Sequence, residues 1–260
     1  MSEEKPILVK IENGVCWMSL NRPNKLNSID PGMLDMLAQE LDNAEANAQV
    51  KCIVITGVGD RAFSAGADVS VLSKLSSVEA KAVISDKGHR TILRILHSAK
   101  PVIAAVNGLA LGGGCELAIA CDFRVASDRA RFGQTEINLG LIPGWGATKL
   151  LPKILGPAKA SEMMMTGVIL NAEEALKIGL VNKVVPADKF EEEVKTLATS
   201  LAKGPSVALS EIKKLVNDDV ISDVILETEA KSFGKIFTTK DLKEGFSAFF
   251  EKRKPIFKGS

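Results

Sequence analysis

Apolar residues along this chain follow two spacings, one of two residues and one of three to four. "ILVKIENGVCWMSL" holds two strand-like runs about Asn13-Gly14, a dipeptide suited to the positive φ angles of a tight hairpin turn. Pro23 closes the second run, and Asp30-Pro31 then supplies an N-cap with proline at the first helical position. In "PGMLDMLAQELDNAEAN" the spacing changes, and Met33, Leu34, Leu37 and Leu41 share one helical face. "KCIVITG" is almost continuously apolar, as expected of a strand buried on both sides.

The strand–turn–helix order then recurs. "KPVIAAVNG" predicts a second buried strand, followed by a glycine turn and the apolar helix in "LALGGGCELAIACD". "FRVASDRARFG" supplies further short strands and "GWGATKLLPKILG" another helix. The units recur at a period of about 50 residues without strong identity between copies, which predicts an α/β spiral of strand–helix repeats, not a doubly wound sheet. From about residue 189 the pattern becomes purely helical: "KFEEEVKTLATSLAKG", "PSVALSEIKKLVND", "VISDVILETEAKSFGKIF" and "TKDLKEGFSAFFEKRK" are all amphipathic. We therefore expect a catalytic core over 1–188 and a helical region over 189–260, which packs on its own core or on a neighbouring subunit.

Composition narrows the function classes. The chain has 260 residues, 46% hydrophobic and 25% charged, enough to bury a large core without disulfides or metals. A formal net charge of +1, with lysines spread evenly, gives no reason to expect nucleic acid or an anionic membrane as partner. Cys16, Cys52, Cys115 and Cys121 form no CxxC pair and have no nearby histidine, so no metal site is expected, and the scattered thiols suit a reducing compartment. His89 and His97 read as ordinary histidines of one helix. "MSEEKPILVK" lacks a signal-like apolar stretch, and no segment approaches the roughly 20 apolar residues of a membrane helix. The expectation is a cytoplasmic protein.

Two features carry candidate chemistry. The glycine turns "FSAGAD" and "LGGGCE" each follow a buried strand and leave bare backbone N–H groups at a helix start, where negative charge is stabilised. Neither has the spacing of a dinucleotide or Walker fingerprint. Occurring in successive repeats, they can converge on one atom. Near them are two carboxylates in apolar surroundings, Glu116 and, in "FGQTEINLGLIPGWG", Glu136. A buried charge is costly unless paired or hydrogen-bonded, and two such glutamates resemble an acid/base pair in a low-dielectric pocket.

"RAFSAGADVSVL", "KPVIAAVNGLALGGGCELAIACDFRVAS", "RFGQTEINLGLIPGWGATKLL" and "EGFSAFFEKRKPIFKG" together resemble the enoyl-CoA hydratase (crotonase) family, essentially from end to end. Within it the chain is most similar to short-chain enoyl-CoA hydratases and to archaeal 3-hydroxypropionyl-CoA dehydratases that also hydrate crotonyl-CoA. The resemblance implies a crotonase-like spiral of ββα repeats with a C-terminal trimerisation region. It also implies an acyl-CoA substrate, no cofactor besides the coenzyme A of that substrate, and a homotrimer or a homohexamer built as a dimer of trimers.

Carried over by position, the backbone N–H groups of Ala67 and Gly113 would form an oxyanion hole for the thioester carbonyl. Glu116 and Glu136 would hold one water, Glu136 supplying the proton at Cα and Glu116 helping to activate the water that attacks Cβ; Gly144 would lie near that water. The backbone of Ala65, Gly66, Ala67, Asp68 and Val69 would receive the CoA adenine, Phe233 would lie beside the nucleotide, and Lys252 would reach the cofactor end of a neighbouring subunit's site. The third motif departs from the family's commonest form, P-E-I-x-L-G-x-I-P-G-A-G-G-T-Q-R-L. Thr135 stands for proline, Trp145 for a small residue, Ala147 for glycine, and Lys149-Leu150 for Gln-Arg. None of these removes a carboxylate or an oxyanion donor. Trp145 either narrows the acyl channel, favouring a short chain, or turns into the core or a subunit interface. Both glutamates favour hydration or dehydration; the alternatives are a double-bond isomerase and a non-catalytic RNA-binding or scaffolding relative.

Overall fold

The computed structural model describes residues 5–217 and 223–259. Strands β1 (Ile7–Glu12) and β2 (Val15–Leu20) form the expected hairpin, with Asn13 and Gly14 at φ angles of 53° and 79° in its turn. The helix Pro31–Ala46 begins where the sequence places it, and the Asp30 side chain accepts from the Met33 N–H at 2.9 Å. Met33, Leu34, Leu37 and Leu41 are all buried.

The chain then winds as a spiral in which each turn gives one strand to each of two sheets. Strands β3 (Cys52–Gly57), β5 (Val102–Val106) and β7 (Phe123–Ser127) lie parallel and adjacent in a six-stranded sheet ordered β1-β2-β3-β5-β7-β10, where β10 is Lys183–Val185. The intervening strands β4 (Ala62–Ser64), β6 (Leu109–Leu111) and β8 (Arg131–Gly133) lie parallel and adjacent in a four-stranded sheet, completed by β9 (Ile169–Asn171) antiparallel to β8. The repeat inferred from the sequence is visible in the register, Ile53 standing beside Val102 and Ile103 beside Phe123.

The central strands β3 and β5 of the six-stranded sheet are buried on both faces, which explains their nearly continuous apolar runs. Ile53 and Ile55 of β3, with Val102, Ala104 and Val106 of β5, face the main core. Cys52 and Val54, with Ile103 and Ala105, face a second core closed by Val194 and Ala198 of the helix Phe190–Ala202.

After β10 the described residues form four long helices: Phe190–Ala202, Ser206–Asn217, Asp223–Ile236 and Lys240–Phe250. Of the third amphipathic stretch, residues 220–222 lie outside the described residues. Three of these helices pack on their own chain in ways that matter below. Phe190–Ala202 covers the six-stranded sheet, Asp223–Ile236 lies against Ser77–Ala82 and the π-helical turn Val83–His89, and Lys240–Phe250 packs on the 3-10 turn Glu136–Leu139. The helix Ser206–Asn217 instead leaves Val207, Ile212, Leu215 and Val216 exposed. No described helix is long and apolar enough to cross a membrane.

Candidate active site

Because β4, β6 and β8 run parallel side by side, their C-terminal ends open onto one place. β4 delivers Ala65-Gly66-Ala67, β6 delivers Gly112 and the helix Gly113–Ala120, and β8 delivers Gln134, Thr135 and Glu136. The two glycine turns touch: a Cβ on Gly66 would stand 2.6 Å from the Leu111 carbonyl oxygen and 3.1 Å from the Gly113 nitrogen. Gly112, with φ of 50°, is held to β8 by its N–H donating to the Gly133 carbonyl at 2.9 Å. A side chain there would stand 3.1 Å from Glu136 Oε1. Bare backbone at these positions is a requirement of close approach.

Ala67 sits in a parallel bridge with Ile29, in which the Ile29 N–H donates to the Gly66 carbonyl and the Asp68 N–H to the Ile29 carbonyl. That pairing leaves the Ala67 N–H on the opposite side. Neither it nor the Gly113 N–H has a partner among the described residues, and both residues line the same cavity of about 620 Å³. Two unpartnered donors at one cavity wall can stabilise a developing oxyanion.

The two glutamates face this cavity from adjacent strand ends. Glu116, 2% exposed, accepts from the Trp145 N–H at 2.8 Å and the Ala147 N–H at 2.9 Å through Oε1, and from the Gly144 N–H at 3.4 Å through Oε2. Burial, the charge of Glu136 and then that of Glu229 raise its pKa well above the ordinary value, while the Ala147 and Trp145 donors pull it back. Glu136 keeps partial exposure at the cleft, but loss of solvent around its carboxyl, with the charge of Glu229 added, pushes it up to about 7. The Gln134 side chain ends 3.1 and 3.2 Å from the two Glu136 oxygens and donates to both when its NH₂ is turned toward them. Three N–H groups aimed at Glu116 offset part of the cost of a negative charge there, as the Gln134 amide does at Glu136.

The residues expected from the sequence come together with one exception. Ala65 through Val69, Gly113, Glu116, Glu136, Gly144, Trp145 and Phe233 all line the cavity, but Phe233 packs against Gly144, at the Glu116 end, and not where a nucleotide held by Ala65 through Val69 is expected. Lys252 does not: it is exposed, with φ of 55°, and does not line the cavity of its own chain, although Phe249 and Phe250 do. The Asp68 carboxylate is occupied, accepting from Ser70 Oγ at 2.6 Å and pairing with Arg22 and Lys25 at 3.1 and 3.3 Å. Burial opposes this charge, yet the bonds from Ser70, Lys25 and Arg22 hold its pKa below the ordinary value.

Trp145 is both buried, at 3% exposure, and part of the cavity wall. A Cβ on Gly88 would stand 2.2 Å from indole Cδ1, and one on Gly113 would stand 2.3 Å from Cζ3. The ring thus spans from Gly88 of the π-helical turn to Gly113 at the start of the helix Gly113–Ala120. The sequence reading missed Gly88, Gln134 and Glu229. It also treated His89 as ordinary, whereas His89 is buried and its Nε2 lies 3.1 Å from Glu229. A signal existed for Glu229: it precedes the buried Ala230 and stands one helical turn before the buried Phe233, a charge on an apolar stripe.

Comparison with known proteins agrees with this geometry. The family model described as Enoyl-CoA hydratase/isomerase matches residues 10–260. A crotonyl-CoA hydratase of Syntrophomonas wolfei is 40% identical over 259 residues, covering 99% of both chains. A short-chain-enoyl-CoA hydratase of Clostridium acetobutylicum is 37% identical over 250 residues, covering 95% of each. The crystal structure of an enoyl-CoA hydratase from Mycobacterium avium subsp. paratuberculosis superposes with a TM-score of 0.88 at 32% identity, covering 97% of this chain and 98% of that one.

Proposed function

Since this chain belongs to the enoyl-CoA hydratase/isomerase family, we propose that it reversibly adds water across the 2,3 double bond of a short-chain trans-2-enoyl-CoA to give the 3-hydroxyacyl-CoA. The carrying observation is the meeting of two buried-edge carboxylates with two unpartnered backbone donors in one cavity. In this reading the thioester oxygen lies between the N–H groups of Ala67 and Gly113. Glu116 takes a proton from water as the hydroxyl oxygen bonds to Cβ. Electron density from the double bond moves toward the thioester oxygen, and Glu136 delivers its proton to Cα. The pair begins and ends with one proton, moved from Glu136 to Glu116, and reversal gives dehydration.

Crotonyl-CoA is the substrate proposed, a choice supported by the relatives named for crotonyl-CoA and short-chain enoyl-CoA hydration; 3-hydroxybutyryl-CoA and 3-hydroxypropionyl-CoA are the corresponding dehydration substrates. Lys25, which lines the cavity with Ala65 through Val69 and pairs with Asp68, would lend its charge to the CoA phosphates. The exposed apolar side chains of Ser206–Asn217 support assembly as a homotrimer or dimer of trimers, in which Lys252 would serve a neighbour's site. A cytoplasmic location is part of the same reading.

The test follows loss of enoyl-thioester absorbance with crotonyl-CoA for wild type, Glu136→Gln and Glu116→Gln. Rapid wild-type turnover, with each variant reduced at least about a hundredfold while still binding butyryl-CoA, is the expected result. An unimpaired Glu136→Gln enzyme, or a wild type active only as an isomerase of 3-enoyl-CoA, would overturn it.

A further inference from the structure

The turn Gly144–Thr148 is held from two sides by two different carboxylates. Glu116 accepts from the N–H groups of Gly144, Trp145 and Ala147. The intervening Gly146 N–H donates the other way, to Glu229 Oε1 at 2.8 Å, and the Thr148 hydroxyl donates to Glu229 Oε2. Gly146 has φ of 105°, which lets successive N–H groups point in opposite directions. Glu229 belongs to the C-terminal helix Asp223–Ile236, and its side chain is only 2% exposed. His89 Nε2, from the π-helical turn Val83–His89, completes its surroundings at 3.1 Å.

A carboxylate this deeply buried is tolerable only because each oxygen is hydrogen-bonded. A buried acceptor of such cost, aimed at the very turn that presents donors to Glu116, couples the C-terminal helix to the reaction site. We infer that Glu229 is a positioning residue: by gripping Gly146 and Thr148 it fixes the orientation of the three N–H groups that hold Glu116 against the reacting water. The inference rests on the reading of Glu116 as a water-handling carboxylate. Glu229 needs no contact with substrate to do this. Its charge, after burial and Glu136, also contributes to raising Glu116. The physical expectation is a loss in turnover without a matching loss in binding, because the substrate's CoA moiety contacts other elements and only the carboxylate geometry is disturbed.

Glu229→Gln retains the side chain's shape but offers one acceptor oxygen where two are needed, and Thr148→Val removes one donor. Glu229→Gln should lower kcat for crotonyl-CoA hydration by about 10- to 100-fold, with the Kd for the unreactive butyryl-CoA within about threefold of wild type. Thr148→Val should move kcat in the same direction by less, and Glu229→Asp, which keeps both acceptors, should recover part of it. Hydrogen exchange across residues 144–148 in the ligand-free enzyme should accelerate in Glu229→Gln. A folded Glu229→Gln enzyme with wild-type kcat overturns the inference, as does a loss of binding equal to the loss of turnover, which would assign Glu229 a general structural role. Should Glu229→Gln fail to fold, Thr148→Val carries the same test. A wild type without hydratase activity would instead refute the proposed function, while exchange at 144–148 would still decide whether Glu229 holds the turn.

Discussion

Replacing Trp145 with alanine should lengthen the acyl chain that the site accepts. The indole is wedged between two glycines, with no space for a Cβ on either: Cδ1 and Nε1 lie against Gly88, and Cζ3 lies against Gly113. Because Gly113 is also an expected oxyanion donor, the ring edge stands within the first few atoms of where a thioester would bind. Gly144, Ile84 and Phe233 crowd the same end, any Cβ on Gly144 falling 2.9 Å from both Ile84 Cδ1 and Phe233 Cδ2. On the proposed reading the acyl chain runs toward this end, so a chain longer than four carbons would press on the indole. Each buried methylene contributes about 0.8 kcal/mol, so room for two more is worth about 1.6 kcal/mol, or roughly a fifteenfold change in relative specificity. The quantity to measure is the ratio of kcat/KM for hex-2-enoyl-CoA to that for crotonyl-CoA, in wild type and Trp145→Ala. Both substrates are assayed on one preparation, so any fraction of unfolded variant cancels from the ratio. That matters, since emptying a buried Trp site costs about 3–5 kcal/mol of stability. Trp145→Phe should give a smaller change in the same direction. A ratio unchanged within about twofold would mean that the indole does not wall the acyl end, and that its burial is only core packing.

Two further outcomes follow from the titrating groups. Glu136 is pushed up to about 7 in the folded chain from an ordinary 4.5, so the native state holds the proton more tightly than the unfolded one. Its contribution is therefore fully present below about pH 4.5 and is lost as pH rises through about 7. Glu136→Gln should flatten the fall of Tm across that window and melt higher than wild type at pH 8; an equal or lower melting temperature there would contradict the buried, raised carboxyl. The four thiols are all buried, which pushes Cys16 up to about 11 and Cys52, Cys115 and Cys121 up to about 12. None should react with a disulfide reagent at pH 7 in the native protein, and all four should react after denaturation; a fast-reacting native thiol would show that one of these sites opens.

What the sequence discloses about this protein depends on whether the cause is local. The Asn13-Gly14 turn, the Asp30 cap and the buried strands β3 and β5 were legible because one short stretch contains the whole reason for each. The glycine turns and the paired glutamates were legible for a related reason: parallel strands from successive repeats set equivalent positions side by side, so "SAGAD", "GGGCE" and "QTE" had to emerge at one end of one sheet. Glu229 and His89 are different. Nothing near "LETEAKS" specifies that its glutamate meets Gly146, because that contact depends on how the helix Asp223–Ile236 docks against the π-helical turn, 140 residues away in sequence at His89. The charge on its apolar stripe signalled that a partner must exist but not which one. Gly88 was opaque in the same way, since its lack of a side chain answers to the indole of Trp145 and to no local turn. The spiral therefore places the glycine turns and the paired glutamates repeat by repeat, while their supports come from contacts between segments distant in sequence, Gly88 against Trp145 within the core and the docked layer of the helix Asp223–Ile236 against the turn Gly144–Thr148. Substitutions in that docked layer should alter turnover and acyl preference while the reacting groups themselves are untouched.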